Sequence, residues 1–257
     1  MVVGVIGSGP VGLYTAFKLV EQGHSVVVFE RAGCVAANMA AWKHVRLFSA
    51  LELNLPACAR LALETGHARC AAVTLPAAGA YLTGAEFREL VLEPLARYLS
   101  TSGRCRVAVH CKVVGVARAQ FLKGDAIVAM GDSRRSESTF RVVIRDERDG
   151  SERCEDGFRC VVDASGTYSQ DTALRSGSGG VAAPGEQAAE AAGSIQRLIP
   201  DLASGAGARL VAGRRVAVLG AGFSAITTLK MLAECAADVA PASVTWLARW
   251  QRLSVYD

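Results

Sequence analysis

The chain has 257 residues, 51% of them hydrophobic and 20% charged, with 28 basic residues against 24 acidic and a net charge of +4. That is a globular composition, long enough for one large domain or two small ones, and it excludes a disordered or low-complexity chain. The Lys and Arg residues are scattered without interleaved aromatics, and charge or Gly interrupts every apolar stretch, so neither nucleic acid nor a membrane is an expected partner.

The first strand is expected over residues 2–6. It leaves no room for a basic leader, so a cytoplasmic location follows. Gly7-Ser8-Gly9-Pro10-Val11-Gly12 make a turn, and Leu13, Phe17, Leu19 and Val20 give the next helix its apolar stripe. Ser25–Phe29 reads as a buried parallel strand, with Glu30 at its tip and Arg31 beside it. In this pattern Gly7 permits the tight bend, Gly9 lets backbone approach a diphosphate, and Gly12 lets helix and strand pack closely. The helix N-terminus then turns its N–H groups toward the phosphates. Glu30 stands about 20 residues beyond Gly9, where a carboxylate takes the hydroxyls of a ribose.

Residues 31–55 are expected to be irregular and carry the cluster WKHVRLFSALELN at 42–54. Helices are expected over Pro56–Glu64 and Glu86–Leu99, the second started by a Thr83/Glu86 capping box. Arg106–Val109 and Cys111–Ala117 read as one bent strand or two. Gly124–Met130 and Phe140–Asp146 read as strands of a small antiparallel sheet, separated by the polar SRRSES. The charged stretch through Gly157 is expected as loop, and Phe158–Asp163 as a buried strand ending in Ala164-Ser165-Gly166. Residues 172–212 are rich in Gly, Ala and Ser and read as a crossover, with a short helix over Ala188–Leu198.

RRVAVLGAGFSAITTLKML at 214–232 then repeats the opening design. Arg215–Leu219 is the strand, and Gly220 and Gly222 take the first two glycine roles. Ala225 stands in place of the third glycine, followed by a helix expected over Phe223–Val239 with Ile226, Leu229, Leu232 and Ala236 inward. Val244–Leu247 is the partner strand. No acid closes it. Arg249 follows instead, a residue type that meets the 2′-phosphate of NADP.

Eight cysteines are dispersed without a CxxC, and the four histidines are equally scattered, so no metal site is expected. The fold class read from these elements is α/β: a Rossmann-like domain with a small antiparallel sheet, then a partial second Rossmann-like domain.

Four features together, GSGPVG at 7–12, Glu30, ASG at 164–166 and GAGFSA at 220–225, resemble those of class B-type flavoprotein monooxygenases and related pyridine-nucleotide oxidoreductases. HVRLFS at 44–49 and YLTGAEF at 81–87 resemble a bacterial subgroup of flavin-dependent oxidoreductases. The resemblance implies an FAD-binding domain over 1–171, a crossover over 172–212 and a partial NAD(P)-binding domain over 213–257. It implies FAD on Gly7, Gly9, Pro10, Gly12, Glu30, Arg31 and Gly166, with Val113 or Val114 meeting adenine through the backbone. It implies NADP on Gly220, Gly222, Ser224, Ala225 and Arg249.

In that family NADPH reduces the flavin, which passes electrons to dioxygen or another acceptor, and a small molecule is the substrate. His44 and Arg46 are named for the flavin pocket, although each reads more readily as a packing or surface residue. No catalytic residue is assigned. The cysteines lack the vicinal pairs of the disulfide reductases of this architecture. The resemblance also implies more second-domain strands and a late Gly-Asp than this sequence contains, so a missing C-terminal segment or a homo-oligomer is expected. The alternatives are a flavin reductase or NADPH oxidase without organic oxygenation, and a non-catalytic dinucleotide-binding remnant.

Overall fold

The computed structural model describes residues 1–120, 124, 134–167 and 181–248, and the chain forms two compact units. One comprises Met1–Ala40 with Ser49–Ser169; the other comprises Ala41–Phe48 with Gln170–Asp257.

In the first unit, β1 (Val2–Ile6), α1 (Pro10–Glu21) and β2 (Ser25–Phe29) form the opening strand, helix and strand. The two strands pair in parallel, Val3 opposite Val26 and Val5 opposite Val28, and all four valines are buried. Complete burial of one such side chain stabilises the fold by about 1.5–3 kcal/mol. Helix α1 buries Gly12, Leu13, Ala16 and Phe17; Leu19 and Val20, expected inward, are only half-buried.

Short helices α2 (Leu51–Asn54) and α3 (Ala57–Thr65) follow, then α4 (Gly84–Phe87) and α5 (Glu93–Thr101), joined by a π-helical turn over Arg88–Leu92. The expected capping box is present. Glu86 N–H donates to Thr83 Oγ1 at 3.2 Å, and Thr83 N–H donates to Glu86 Oε2 at 2.7 Å. Phe17 of α1 meets Tyr98 of α5 with ring centroids 6.1 Å apart.

β3 (Cys105–Ala108) and β4 (Cys111–Arg118) are two strands, not one. The chain breaks between them at His110, whose φ of +57° no strand tolerates. β3 pairs in parallel with β2, while β4 pairs antiparallel with β5 (Phe140–Asp146), which follows α6 (Arg134–Glu137). The strand expected over 124–130 lies outside the described residues, apart from Gly124.

The charged run through Gly157 is a strand, β6 (Glu152–Phe158), where a loop was expected. It pairs antiparallel with β5, and its outward charges are neutralised across the ladder. Arg145 sits opposite Glu152, 2.7 Å apart, and Arg141 grips Asp156 with two bonds of 2.7 Å. Phe158 therefore closes β6, and β7 (Cys160–Asp163) begins two residues later. The parallel sheet runs β3-β2-β1-β7, a Rossmann order; the antiparallel sheet runs β4-β5-β6. Phe29, Cys111, Val142, Ile144 and Phe158 form a core cluster spanning both sheets, with the Phe29 and Phe158 rings edge to face at 5.8 Å.

The second unit contains α7 (Glu186–Ala191), α8 (Gly205–Val211), β8 (Arg215–Leu219), α9 (Phe223–Ala233) and β9 (Ser243–Leu247). β8 and β9 pair in parallel in register Val216–Val244 and Val218–Trp246. Helix α7 stops well before Leu198, because Gly193 takes φ +73° and its N–H closes on Glu190 O. Helix α8, absent from the sequence reading, is capped by Ser204, whose Oγ accepts from Gly207 N–H at 3.0 Å. Helix α9 ends at Ala233, short of Val239, because Val239 N–H folds back on Ala236 O as a turn. Leu202, Val211, Val218, Ala225 and Leu232 form this unit's buried cluster; Ile226 and Ala236, expected inward, are exposed.

Candidate functional site: two glycine turns

The first turn joins β1 to α1, and each of its glycines meets a different demand. Gly7 takes φ +96°, and a Cβ there would stand 2.5 Å from Ala164 O, so no side chain fits. Gly12 has ordinary backbone angles, but its Cβ would lie 2.0 Å from Gly7 O, which is how closely α1 approaches the strand end. Gly9 is the opposite case. It caps α1 in an extended conformation, and nothing lies within 4 Å of where its Cβ would be. A methyl there would stand in open space beside the helix N-terminus. Pro10 opens α1, no side chain caps the helix and no acid occupies its first turn, so neither competes with an anion for that end.

Glu30 is buried beside this turn. Its Oε2 accepts from Ser8 N–H at 3.1 Å and Ser8 Oγ–H at 2.5 Å, and its Oε1 accepts from Ala32 N–H at 2.9 Å. The contact of Gly7 with Ala164 and Ser165 brings the end of β7 to the same place, and Gly166 follows with φ +75°. The structure thus gathers Gly7, Gly9, Pro10, Gly12, Glu30 and Gly166 at the C-terminal edge of one parallel sheet.

Arg31 is exposed, its Nη2 3.5 Å from Asn38 Oδ1. Val113 is half-buried against the Phe29 cluster, and a bulge between Val113 and Gly115 sets Val114 outside the regular ladder. Ser8, which reaches both Glu30 and Ala36, was missed because its position in the glycine motif accepts almost any residue.

The second turn repeats the plan with looser packing. Gly220 takes φ +110°, and its N–H donates to Leu247 O at 2.9 Å. Gly222 caps α9 without a side-chain cap or an acid in the first turn. Neither glycine has an atom within 4 Å of a Cβ position. Ala225 is buried, so its methyl fits where the corresponding site at Gly12 has no room; Ser224 is exposed.

Two neighbours were not anticipated. Trp246 Nε1–H donates to Gly220 O at 2.7 Å, and Phe48 stacks on Phe223 at the start of α9 with centroids 5.2 Å apart. His44 Nε2 donates to Ile199 O at 3.0 Å, which makes it a packing residue of the second unit; Arg46 is exposed. Arg249 lies outside the described residues. Among the described residues no cluster of His, Cys, Asp or Glu is placed to hold a metal, and no helix is long and apolar enough to cross a membrane.

Residues 5–66 match the NAD(P)-binding Rossmann-like domain family. No curated protein matches the chain. Among solved structures, bacillithiol disulfide reductase from Bacillus cereus aligns at TM-score 0.55 and 17% identity, over 95% of this chain and 58% of that one. An NADP+-bound mutant of cyclohexanone monooxygenase from Rhodococcus sp. aligns at TM-score 0.52 and 19% identity, over 97% and 39%. S-allyl-L-cysteine S-oxygenase from Allium sativum aligns at TM-score 0.51 and 18% identity, over 96% and 51%. The chain therefore spans less than two thirds of the length of each of these proteins.

Proposed function

We propose that this chain, whose fold is that of the FAD- and NAD(P)-binding oxidoreductases, is the dinucleotide-binding part of an FAD-dependent, NADPH-using, monooxygenase-like enzyme. One observation carries the reading: two strand-to-helix turns, each with an open glycine and an uncapped helix free of first-turn acids. One such turn serves one cofactor; two serve a pair that exchanges electrons.

In this reading Gly7, Gly9, Pro10 and Gly12 hold the FAD diphosphate against the α1 dipole, and Glu30 takes the adenosine ribose. Gly166 brings backbone close to the same cofactor, Arg31 flanks its ribose end, and Val113 meets adenine from the strand β4. Gly220, Gly222, Ser224 and Ala225 hold the NADP diphosphate at α9. Arg249, following a strand that ends without an acid, reads the 2′-phosphate. The flavin supplies the hydride acceptance and the oxygen chemistry; the chain supplies binding, orientation and charge placement. The eight cysteines are all free, and none forms a vicinal or CxxC pair, which favours dioxygen or a small acceptor over a dithiol as the outlet for electrons. The domain assignment follows: FAD over 1–171, a crossover over 172–212, and NADP over 213–257.

The test is spectroscopic. The FAD-reconstituted protein is expected to absorb near 450 nm and to bleach anaerobically with NADPH but far more slowly with NADH. Failure to take up flavin at all overturns the reading. The NADPH preference is expected to vanish in Arg249→Ala.

A further inference from the structure

We propose that Ser8 is a positioning residue that aims the Glu30 carboxylate at the adenosine ribose; the inference rests on the reading of the first turn as a dinucleotide cradle. Ser8 is wholly buried, at 0% exposure, and its hydroxyl has two assigned roles. Ala36 N–H donates to Ser8 Oγ at 3.1 Å, so the oxygen is an acceptor there. The hydroxyl proton is left to point at Glu30 Oε2, 2.5 Å away. Ser8 N–H donates to that same oxygen at 3.1 Å.

These bonds leave an unequal carboxylate. A carboxylate offers about four acceptor sites, two on each oxygen. Both sites on Oε2 are filled by Ser8. Oε1 accepts from Ala32 N–H at 2.9 Å and, among the described residues, keeps one site. The ribose hydroxyl that Glu30 takes is therefore received by Oε1, and Ser8 is the group that fixes which oxygen faces it. The same hydroxyl closes the loop that follows β2. Glu30 begins this loop and Ala36 ends it, buried at 3% exposure with φ +52°, a conformation that a residue bearing a Cβ keeps only when held. His110 braces the loop from its other side: its N–H donates to Ala32 O at 2.8 Å, and its ring would stand 2.6 Å from a Cβ on Gly33.

The experiment compares FAD with an analogue whose adenosine ribose lacks both hydroxyls, measuring the dissociation constant of each for wild type and Ser8→Ala by flavin fluorescence. Wild type is expected to prefer FAD by about tenfold, the scale of one hydrogen bond to a charged acceptor. In Ser8→Ala that preference falls to within about threefold. A purely structural serine would weaken both ligands equally and leave the ratio intact, and that result overturns the proposal. Ser8→Cys, nearly isosteric and a weak donor, serves if the alanine variant does not fold, and is expected to lose the preference in the same way. Wild-type protein that binds no FAD would instead overturn the cofactor reading itself.

Discussion

Gly9 and Gly12 sit three residues apart in one turn and yet should respond in opposite ways to the same substitution. Gly9→Ala adds a methyl to open space, so the unliganded protein is expected to melt at the wild-type temperature while FAD affinity falls at least tenfold. Gly12→Ala drives a methyl into Gly7 O and is expected to cost about 1–3 kcal/mol in a denaturant titration, ligand or no ligand. A Gly9 variant that is unstable, or a Gly12 variant that is not, would reverse the roles assigned to them. Cysteine chemistry separates along similar lines. Burial pushes the Cys105 thiol up to about 12, so it should resist alkylation at pH 8 in the folded protein, whereas exposed Cys154 should react. The tight bend at Gly7 and the close packing at Gly12 were legible because spacing and flanking strands demand them. Ser8 was not, since its work depends on where Glu30 and Ala36 arrive in space, and that no local pattern records.

Among the elements, β6 shows how local composition misleads. ERCEDG looks like a loop, yet it pairs as a strand because Arg141 and Arg145 on the neighbouring strand β5 answer Asp156 and Glu152. The hairpin that joins β5 to β6 turns on Asp146, which accepts from Arg148 Nε at 2.9 Å and Arg148 N–H at 2.9 Å. The Arg148 hydrogen bond holds the Asp146 carboxyl well below the usual carboxylate range. Its stabilising contribution is therefore full above the unfolded value of about 3.9, declines below that, and is lost once pH falls through the folded value. Wild type and Asp146→Asn should differ in stability at pH 7, and the difference should narrow steadily as pH falls below about 4; a difference as large at pH 2 as at pH 7 would show that charge is not the source. The Thr83/Glu86 cap, by contrast, was legible from four residues. Thr83→Ala is expected to cost about 1 kcal/mol in a denaturant titration.

For the molecule as a whole, the repetition of strand, glycine turn, helix and strand made both parallel sheets readable in advance, because a parallel strand pair requires a crossover and a buried apolar run. The arrangement of residues 41–48 was not readable: they fall in the second unit although the chain on either side belongs to the first. The most direct measurement of the central claim is a pair of calorimetric titrations, FAD and NADP+, on wild type, Gly9→Ala and Gly222→Ala. The account predicts that wild type binds both, that Gly9→Ala loses affinity for FAD alone, and that Gly222→Ala loses affinity for NADP+ alone. If either substitution weakens both ligands, or neither, the two turns are not two cofactor sites.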